Sequence, residues 1–514
     1  MRPDMRAHTS ATRLVQNTAS NFAGQLIITV LAFFSTPYIT HKLGASQYGA
    51  LSLLMVYLFA FSLLNLGMNA SLVKYLAELL PKKQTEEMQQ YLSTSLTVLV
   101  GIGAGIAVLV FILAGMIVRH CFNGSANLAP STVLALRIAS VAFILQFLIQ
   151  VASSIPAAAQ RFEIINLVRA GSEALRIIVT VVLLALGFGL PSLMAVVIFA
   201  SLCACMAYAL TSRRVIPGLQ LHPGFSHRHL RSLLRHSRYV LVVNLSNQLV
   251  GTMDNFLIGA FLPIANVAYY AIAYTLAQRL WTFVGNLISV VFPAASAFAG
   301  AEKQDQVKEL YLRGMKVAAA AGCFPALALS IFSRPFLLYW LGPDYAKQGA
   351  VVLSLLALGF LVNSFTYVPY QVLQSTHYAN TAAKGSIVYG AMNLTLFFLL
   401  IPRFGIIGAA VAFLLGQILF VPWFVGKSNR LLCVRWQTLF AASYARVFIA
   451  AALACSACWF FRTWVDSLFT LAAVVTAGLL LYILLAAALV LDSKERETCR
   501  VLAQRWIALL PARA

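Results

Sequence analysis

The chain has 514 residues, of which 61% are hydrophobic and only 10% charged, and its mean hydropathy is +0.84; a soluble domain carries about 25% charged residues. This excludes a water-soluble globular protein, and spans of roughly 20 apolar residues would fill the length with a dozen or more helices and no large extramembrane domain. The net charge of +22 needs no nucleic acid, because Lys and Arg gather in the inner loops of membrane proteins, where anionic headgroups reward each by about 1 kcal/mol.

The chain opens with a polar, basic stretch containing Arg2, Arg6 and Arg13. No short apolar core ending in a small-residue cleavage site follows, so the first helix is expected to be retained. Apolar runs at 14–39, 47–69, 91–118, 131–155, 166–187 and 190–210 predict six spans. A polar stretch, 211–238, follows. Six more runs, at 239–262, 266–298, 311–332, 349–374, 381–401 and 405–425, repeat the count, and a last pair at 443–461 and 468–491 completes about fourteen. The expected fold is therefore an all-α polytopic membrane protein: an N-terminal six-helix lobe (1–210), a cytoplasmic basic amphipathic linker (211–238), a C-terminal six-helix lobe (239–428), and helices 13 and 14 with a cytoplasmic tail (429–514). The two lobes are expected to be pseudo-symmetric.

Charge gives an independent check on this map. With the N-terminus inside, the outer connections hold only Lys42, Arg119, Arg334, Lys347, Arg403 and Arg462. Arg137, Arg176 and Arg279 are read as lying inside spans, and the rest of the 37 Lys and Arg, including those such as Arg169 at the ends of runs, are counted as internal. That asymmetry predicts cytoplasmic termini in a bacterial inner membrane.

Within the linker, Leu230, Leu233 and Leu234 share a helical face while Arg228, Arg231, Arg235 and Arg238 crowd the remainder, the pattern of an interfacial amphipathic helix. His222, His227, His229 and His236 lie in the same stretch without an acidic or Cys partner, so they are read as surface decoration. The eight cysteines are scattered, mostly in or beside apolar runs, and Cys455 and Cys458 are read as two small residues on one helix face. No cofactor, metal or disulfide framework is expected.

Two spans stand out for polarity. The first carries Asn17, Asn21 and Gln25 at four-residue spacing, and the seventh carries Asn244, Asn247, Gln248, Asp254 and Asn255 along one stripe. Facing one another, such helices would line a hydrated cavity of the kind that repeat-built transporters place near the midplane; alternatively, the amides only hold helices together. Ionisable residues inside spans cost about 2.5 to 3.5 kcal/mol each even on a lenient scale, and they are read as functional by default. Arg137, Glu173, Arg176, Asp254 and Arg279 qualify. Glu173 and Arg176 are spaced to neutralise one another as an i, i+3 pair. Asp254 lies about 12 Å and Arg279 about 20 Å from the outer ends of their helices, which would let a long Arg side chain bridge them. Arg137 is shallow enough to snorkel.

Arginines facing a cavity would select an anionic group, and guanidinium forks match phosphate oxygens two-pronged. A pyrophosphate-linked lipid fits, with its glycan held by the Asn and Gln ladder. Tyr239, Tyr269, Tyr270, Tyr274 and Trp281 are available to stack on sugars, or to serve as interface anchors.

The segments PYITHKLGASQYG from Pro37, LLNLGMNASLVKYLAE, LLYWLGPDYAKQGAVVLSLLALG from Leu337 and IPRFGIIGAAVAF from Ile401 resemble the polysaccharide transport family, the Wzx-type oligosaccharide flippases of the multidrug, oligosaccharidyl-lipid and polysaccharide exporter superfamily. The resemblance covers roughly residues 14 to 425. It implies two six-helix bundles working by alternating access, two extra C-terminal helices, a lipid-linked oligosaccharide as cargo, membrane lipids and polysaccharide polymerase machinery as partners, and ion coupling, for which Asp254 is the nominee with Glu173 beside it. The related peptidoglycan-precursor flippases carry several arginines in their first two helices; here that run holds only His41 and Lys42, so Arg176 and Arg279 are read from the residues and not carried over. The rival readings are a multidrug or cation exporter of the same superfamily, which calls for an excess of buried acids, and a membrane polysaccharide polymerase or ligase, which calls for a sizeable outer loop.

Overall fold

A computed structural model describes the backbone at residues 4–62, 67–122, 129–289, 291–376 and 378–491. Among these residues every regular element is a helix. Seventeen α-helices, α1 to α17, follow in chain order, and nine stretches among the described residues are long and apolar enough to cross a membrane.

The chain separates into two compact units, 1–268 and 269–514. The first holds α1 (Asp4–Ser62), α2 (Met68–Leu79), α3 (Thr85–Cys121), α4 (Ala129–Ala158), α5 (Phe162–Ala185), α6 (Leu190–Val215) and α7 (His227–Phe261). At 1.5 Å per residue the 59 residues of α1 would run about 90 Å, far beyond a hydrocarbon core of about 30 Å. Gly44 interrupts it, with φ 70° and ψ 167°, a conformation essentially restricted to glycine. Where helices approach closely, a missing side chain makes the room: a Cβ on Gly103 of α3 would lie 2.7 Å from the Phe147 ring of α4, and one on Gly49 of α1 would lie 2.1 Å from the Ile264 carbonyl oxygen.

The linker is more firmly placed than its polarity predicts. Residues 220–224 run along α3, where Gln89, Ser93 and Thr97 stand at four-residue spacing. Gln89 Nε2 donates to the Gln220 carbonyl (2.6 Å) while its Oε1 accepts from Gln220 N (2.8 Å). Thr97 Oγ1 repeats the exchange with Gly224, donating at 2.9 Å and accepting at 3.0 Å. Helical side chains thus satisfy extended backbone as a neighbouring strand would.

Helix α7 then begins, and its apolar face is spent on protein. Leu233 is fully buried among Leu72, Leu76, Tyr91 and Leu92, Leu230 packs against the same core, and only Leu234 remains exposed. His229 is also buried, at 5% exposure, with Nδ1 at 2.8 Å from Ser226 Oγ and its ring edge-on to Tyr91 at 4.5 Å. It is therefore a packing residue and not surface decoration, because Tyr91 and Leu233 close over it. The arginines of this turn, Arg228, Arg231 and Arg235, are exposed.

The second unit contains α8 (Ile264–Ile288, shared at its start with the first unit), α9 (Val291–Gly300), α10 (Gln304–Ile331), α11 (Ser333–Leu341), α12 (Pro343–Ser364), α13 (Tyr367–Ser375), α14 (Ala379–Leu431), α15 (Trp436–Leu439), α16 (Ala445–Phe460) and α17 (Leu468–Leu489). At 53 residues, α14 is too long for one span, and Gly405 breaks it with φ 62° and ψ −142°. Aromatic rings fill this unit: Trp281 stacks on Tyr367 at 4.9 Å, Phe360 meets Phe413 at 4.7 Å, Tyr274 meets Phe360 at 5.4 Å, and Tyr270 is fully buried. Tyr269, Tyr270, Tyr274 and Trp281, offered by the sequence for sugar stacking, are here engaged by neighbouring rings, and the side chain of Tyr239 lies outside the described residues.

Candidate functional site

Helix α5 organises the site. Arg169, Ser172, Glu173 and Arg176 recur at three- and four-residue intervals, which puts them on one face. That face borders a cavity of about 460 Å³ inside the first unit, within the usual range for ligand sites. Met55, Leu58 and Phe59 of α1, Gln146 of α4, and Ala200, Ala204 and Tyr208 of α6 complete much of its wall. The charges of the wall lie along α5; the other helices contribute mostly apolar side chains, with Gln146, Ser201 and Tyr208 as the polar exceptions.

Within the stripe, Arg176 Nε donates to Glu173 Oε2 at 3.0 Å and Nη2 donates to Glu173 Oε1. Both prongs of the guanidinium fork are engaged by one carboxylate. The two side chains keep 30% and 36% of their exposure, so the pair is open to the cavity. Tyr48 of α1 is within electrostatic reach of Arg176, and the Tyr208 hydroxyl donates to the Ile165 carbonyl at 3.4 Å. Among the described residues that line the cavity, two arginines stand against one glutamate.

Of the residues singled out by sequence, Glu173 and Arg176 come together in this cavity. Arg137 stands exposed on α4 with its guanidinium 5.2 Å from the Phe111 ring centre, a cation–π contact outside the cavity. Gln25 is half-buried on α1. Asp254 of α7 is 1% exposed, and its Oδ1 accepts from Asn255 N (2.8 Å) and Asn255 Nδ2 (3.2 Å). Arg279 is exposed on α8 in the second unit. The side chains of Asn17, Asn21, Asn244, Asn247 and Gln248 lie outside the described residues. Sequence reading missed Arg169 and Gln146. Arg169 had a signal: it sits seven residues before Arg176, two turns along the same face.

Comparison with known proteins places this geometry. Residues 42–349, more than half of the chain, match the family described as "Polysaccharide biosynthesis protein". The chain belongs to that family. This polysaccharide biosynthesis protein is 21% identical over 409 residues to a putative O-antigen transporter of Shigella flexneri, covering 79% of the chain and 95% of the relative. It is 26% identical over 190 residues to the probable flippase AglR of Haloferax volcanii, covering 37% and 40%. In fold it is similar to the lipid II flippase MurJ in an inward closed conformation, with TM-score 0.76 and 14% identity over 91% of this chain and 98% of that one. An inward-facing multidrug transporter of the MATE family and MOP superfamily follows at TM-score 0.68 and 13% identity, over 80% and 98%. The protein is thus a multi-pass membrane protein of the polysaccharide biosynthesis family, with a fold shared by MurJ and the MATE transporters.

Proposed function

We propose that this protein flips a polyprenyl-pyrophosphate-linked oligosaccharide from the cytoplasmic to the periplasmic leaflet of a bacterial inner membrane, by alternating access and without covalent chemistry. The observation that carries the reading is Arg176. Its guanidinium borders a cavity whose described lining holds two arginines against one glutamate, in a chain of the polysaccharide biosynthesis family. A phosphate ester is the anion whose paired oxygens fit that fork, and the cavity's apolar wall suits a headgroup that arrives attached to a lipid.

The remaining roles extend the same reading. Arg137 and Arg279 supply further positive charge along the route, and Asn17, Asn21, Gln25, Asn244, Asn247 and Gln248 hold the glycan. Asp254 and Glu173 carry the coupling ion. Fourteen spans, taken as two six-helix lobes and a final pair, put both termini in the cytoplasm, and a polysaccharide polymerase receives the product outside.

The test is glycan export in a strain lacking its own flippase. Arg176→Ala and Arg279→Ala are expected to cut periplasmic glycan at least tenfold at equal membrane protein level, the loss of about 1.4 kcal/mol of selective binding. Normal export by Arg176→Ala would end the reading.

A further inference from the structure

Resting on the flippase reading, we propose that Glu173 is a built-in place-holder for the substrate's phosphate. Its carboxylate occupies the Arg176 fork in the empty protein and is displaced when the anionic headgroup arrives.

The argument starts from the donors. Arg176 presents Nε and Nη2 to the two oxygens of Glu173, and that face of the guanidinium is one on which a phosphate binds two-pronged. A phosphate on that face competes with the carboxylate for the same two hydrogens. Exchange requires no backbone movement, because Glu173 is three residues from Arg176 on one helix face and both side chains are partly open to the cavity. A change of Glu173 rotamer frees the fork.

Energetics explains why a place-holder is needed. An arginine at membrane depth without a counter-ion is costly, and the protein must pass through an empty state in every cycle. A permanently matched pair would exclude substrate, whereas an open pair of unequal exposed groups can be exchanged. Arg169, two turns towards the start of α5, lies about 10 Å from Arg176 along the axis, too far for one phosphate to touch both. It serves as the first contact on the way to the fork. When the headgroup leaves, Glu173 returns and competes against rebinding, which gives the cycle a release step.

The experiment measures binding of farnesyl pyrophosphate to the detergent-solubilised full-length protein, with farnesol and inorganic pyrophosphate as separate arms. Glu173→Gln and Glu173→Ala are expected to bind farnesyl pyrophosphate about tenfold tighter than wild type, since the fork no longer has a competitor, and Arg176→Gln about tenfold weaker. The double variant Glu173→Gln/Arg176→Gln should match Arg176→Gln. Farnesol should be indifferent to all of these changes, and inorganic pyrophosphate should follow the same order as the farnesyl compound. Unchanged or weaker binding by both Glu173 variants overturns the place-holder while leaving the cavity's role intact. Wild-type binding by Arg176→Gln overturns the cavity itself, and with it the flippase reading's main support.

Discussion

Three glycines of the first unit should respond to alanine in three different ways. Gly49→Ala places a methyl 2.1 Å from the Ile264 carbonyl oxygen, where a tolerable carbon–oxygen contact is about 3.3–3.6 Å. The two backbones must separate by more than 1 Å, at a cost of about 1–3 kcal/mol or more, because the obstacle is main chain and cannot change rotamer. Gly44→Ala meets no atom within 4 Å but holds φ at 70°, so its cost is conformational strain alone, about 1–3 kcal/mol. Gly101, in the middle of α3 with ordinary helical angles and open space around it, is the control; alanine there should be neutral or stabilising by up to about 1 kcal/mol. The assay is the fraction of each variant that stays monodisperse on size exclusion after stepped heating in detergent. The order expected is Gly101→Ala at or above wild type, then wild type, with Gly44→Ala and Gly49→Ala below. Wild-type stability for Gly49→Ala would refute the close approach of α1 to Ile264, and wild-type stability for Gly44→Ala would refute a fixed break in α1.

Two further predictions concern the linker at 211–238. Burial holds the His229 imidazole below its ordinary range, with Arg228 adding to the depression and Glu87 opposing it. A histidine with a lowered folded pKa contributes fully above about pH 6.5, and its contribution is lost as pH falls below that. Wild-type melting temperature should therefore drop between pH 7 and pH 5 by more than that of His229→Gln; equal slopes would remove His229 as the cause. The strap on α3 should loosen in a Gln89→Ala/Thr97→Val double variant, which deletes reciprocal hydrogen bonds worth about 0.5–1.5 kcal/mol each. Its readout is faster tryptic cutting after exposed Arg213, Arg214 and Arg228, measured in membranes, and unchanged cutting would mean that the strap does not hold the linker.

Much of the architecture is legible because a bilayer imposes one rule on every span. Composition and hydropathy alone gave an all-helical, multi-pass chain. The Pro37 and Ile401 segments were visible as family resemblance before their physics was. The structure shows that each pairs a glycine breaking a helix (Gly44, Gly405) with one where an added Cβ would run into a carbonyl oxygen (Gly49 at 2.1 Å from that of Ile264, Gly408 at 2.2 Å from that of Leu400). The Glu173–Arg176 pair was readable because i, i+3 spacing fixes proximity within one helix. Arg169 was counted with the cytoplasmic charges although it falls near the start of the apolar run at 166–187, and α5 itself starts earlier still, at Phe162. His229 was misplaced because its burial depends on Tyr91 and Leu233 closing around it, a tertiary fact absent from local pattern. The rings of Trp281 and Tyr274 were offered to sugar for the same reason: sequence counts aromatics but does not show which of them already face one another.

One comparison separates a structural reading of the α5 stripe from a functional one. Replacing a well-packed ion pair by apolar residues of similar size is often neutral or stabilising, by about 1–4 kcal/mol, because desolvating two charges costs more than their attraction returns. In a bilayer the balance tilts further, at about 2.5–3.5 kcal/mol for each charge. If Glu173 and Arg176 only join two turns of α5, Glu173→Leu/Arg176→Leu should insert, resist heating at least as well as wild type, and still support glycan export. If the pair is there for an anion, the same protein should be equally abundant and equally stable yet export nothing, while Glu173→Gln keeps partial export because its arginine remains. Export by the double leucine protein would reduce the pair to a structural contact. A stable, abundant and silent double variant would mean that two charges are kept at membrane depth for cargo, since stability alone would favour leucine.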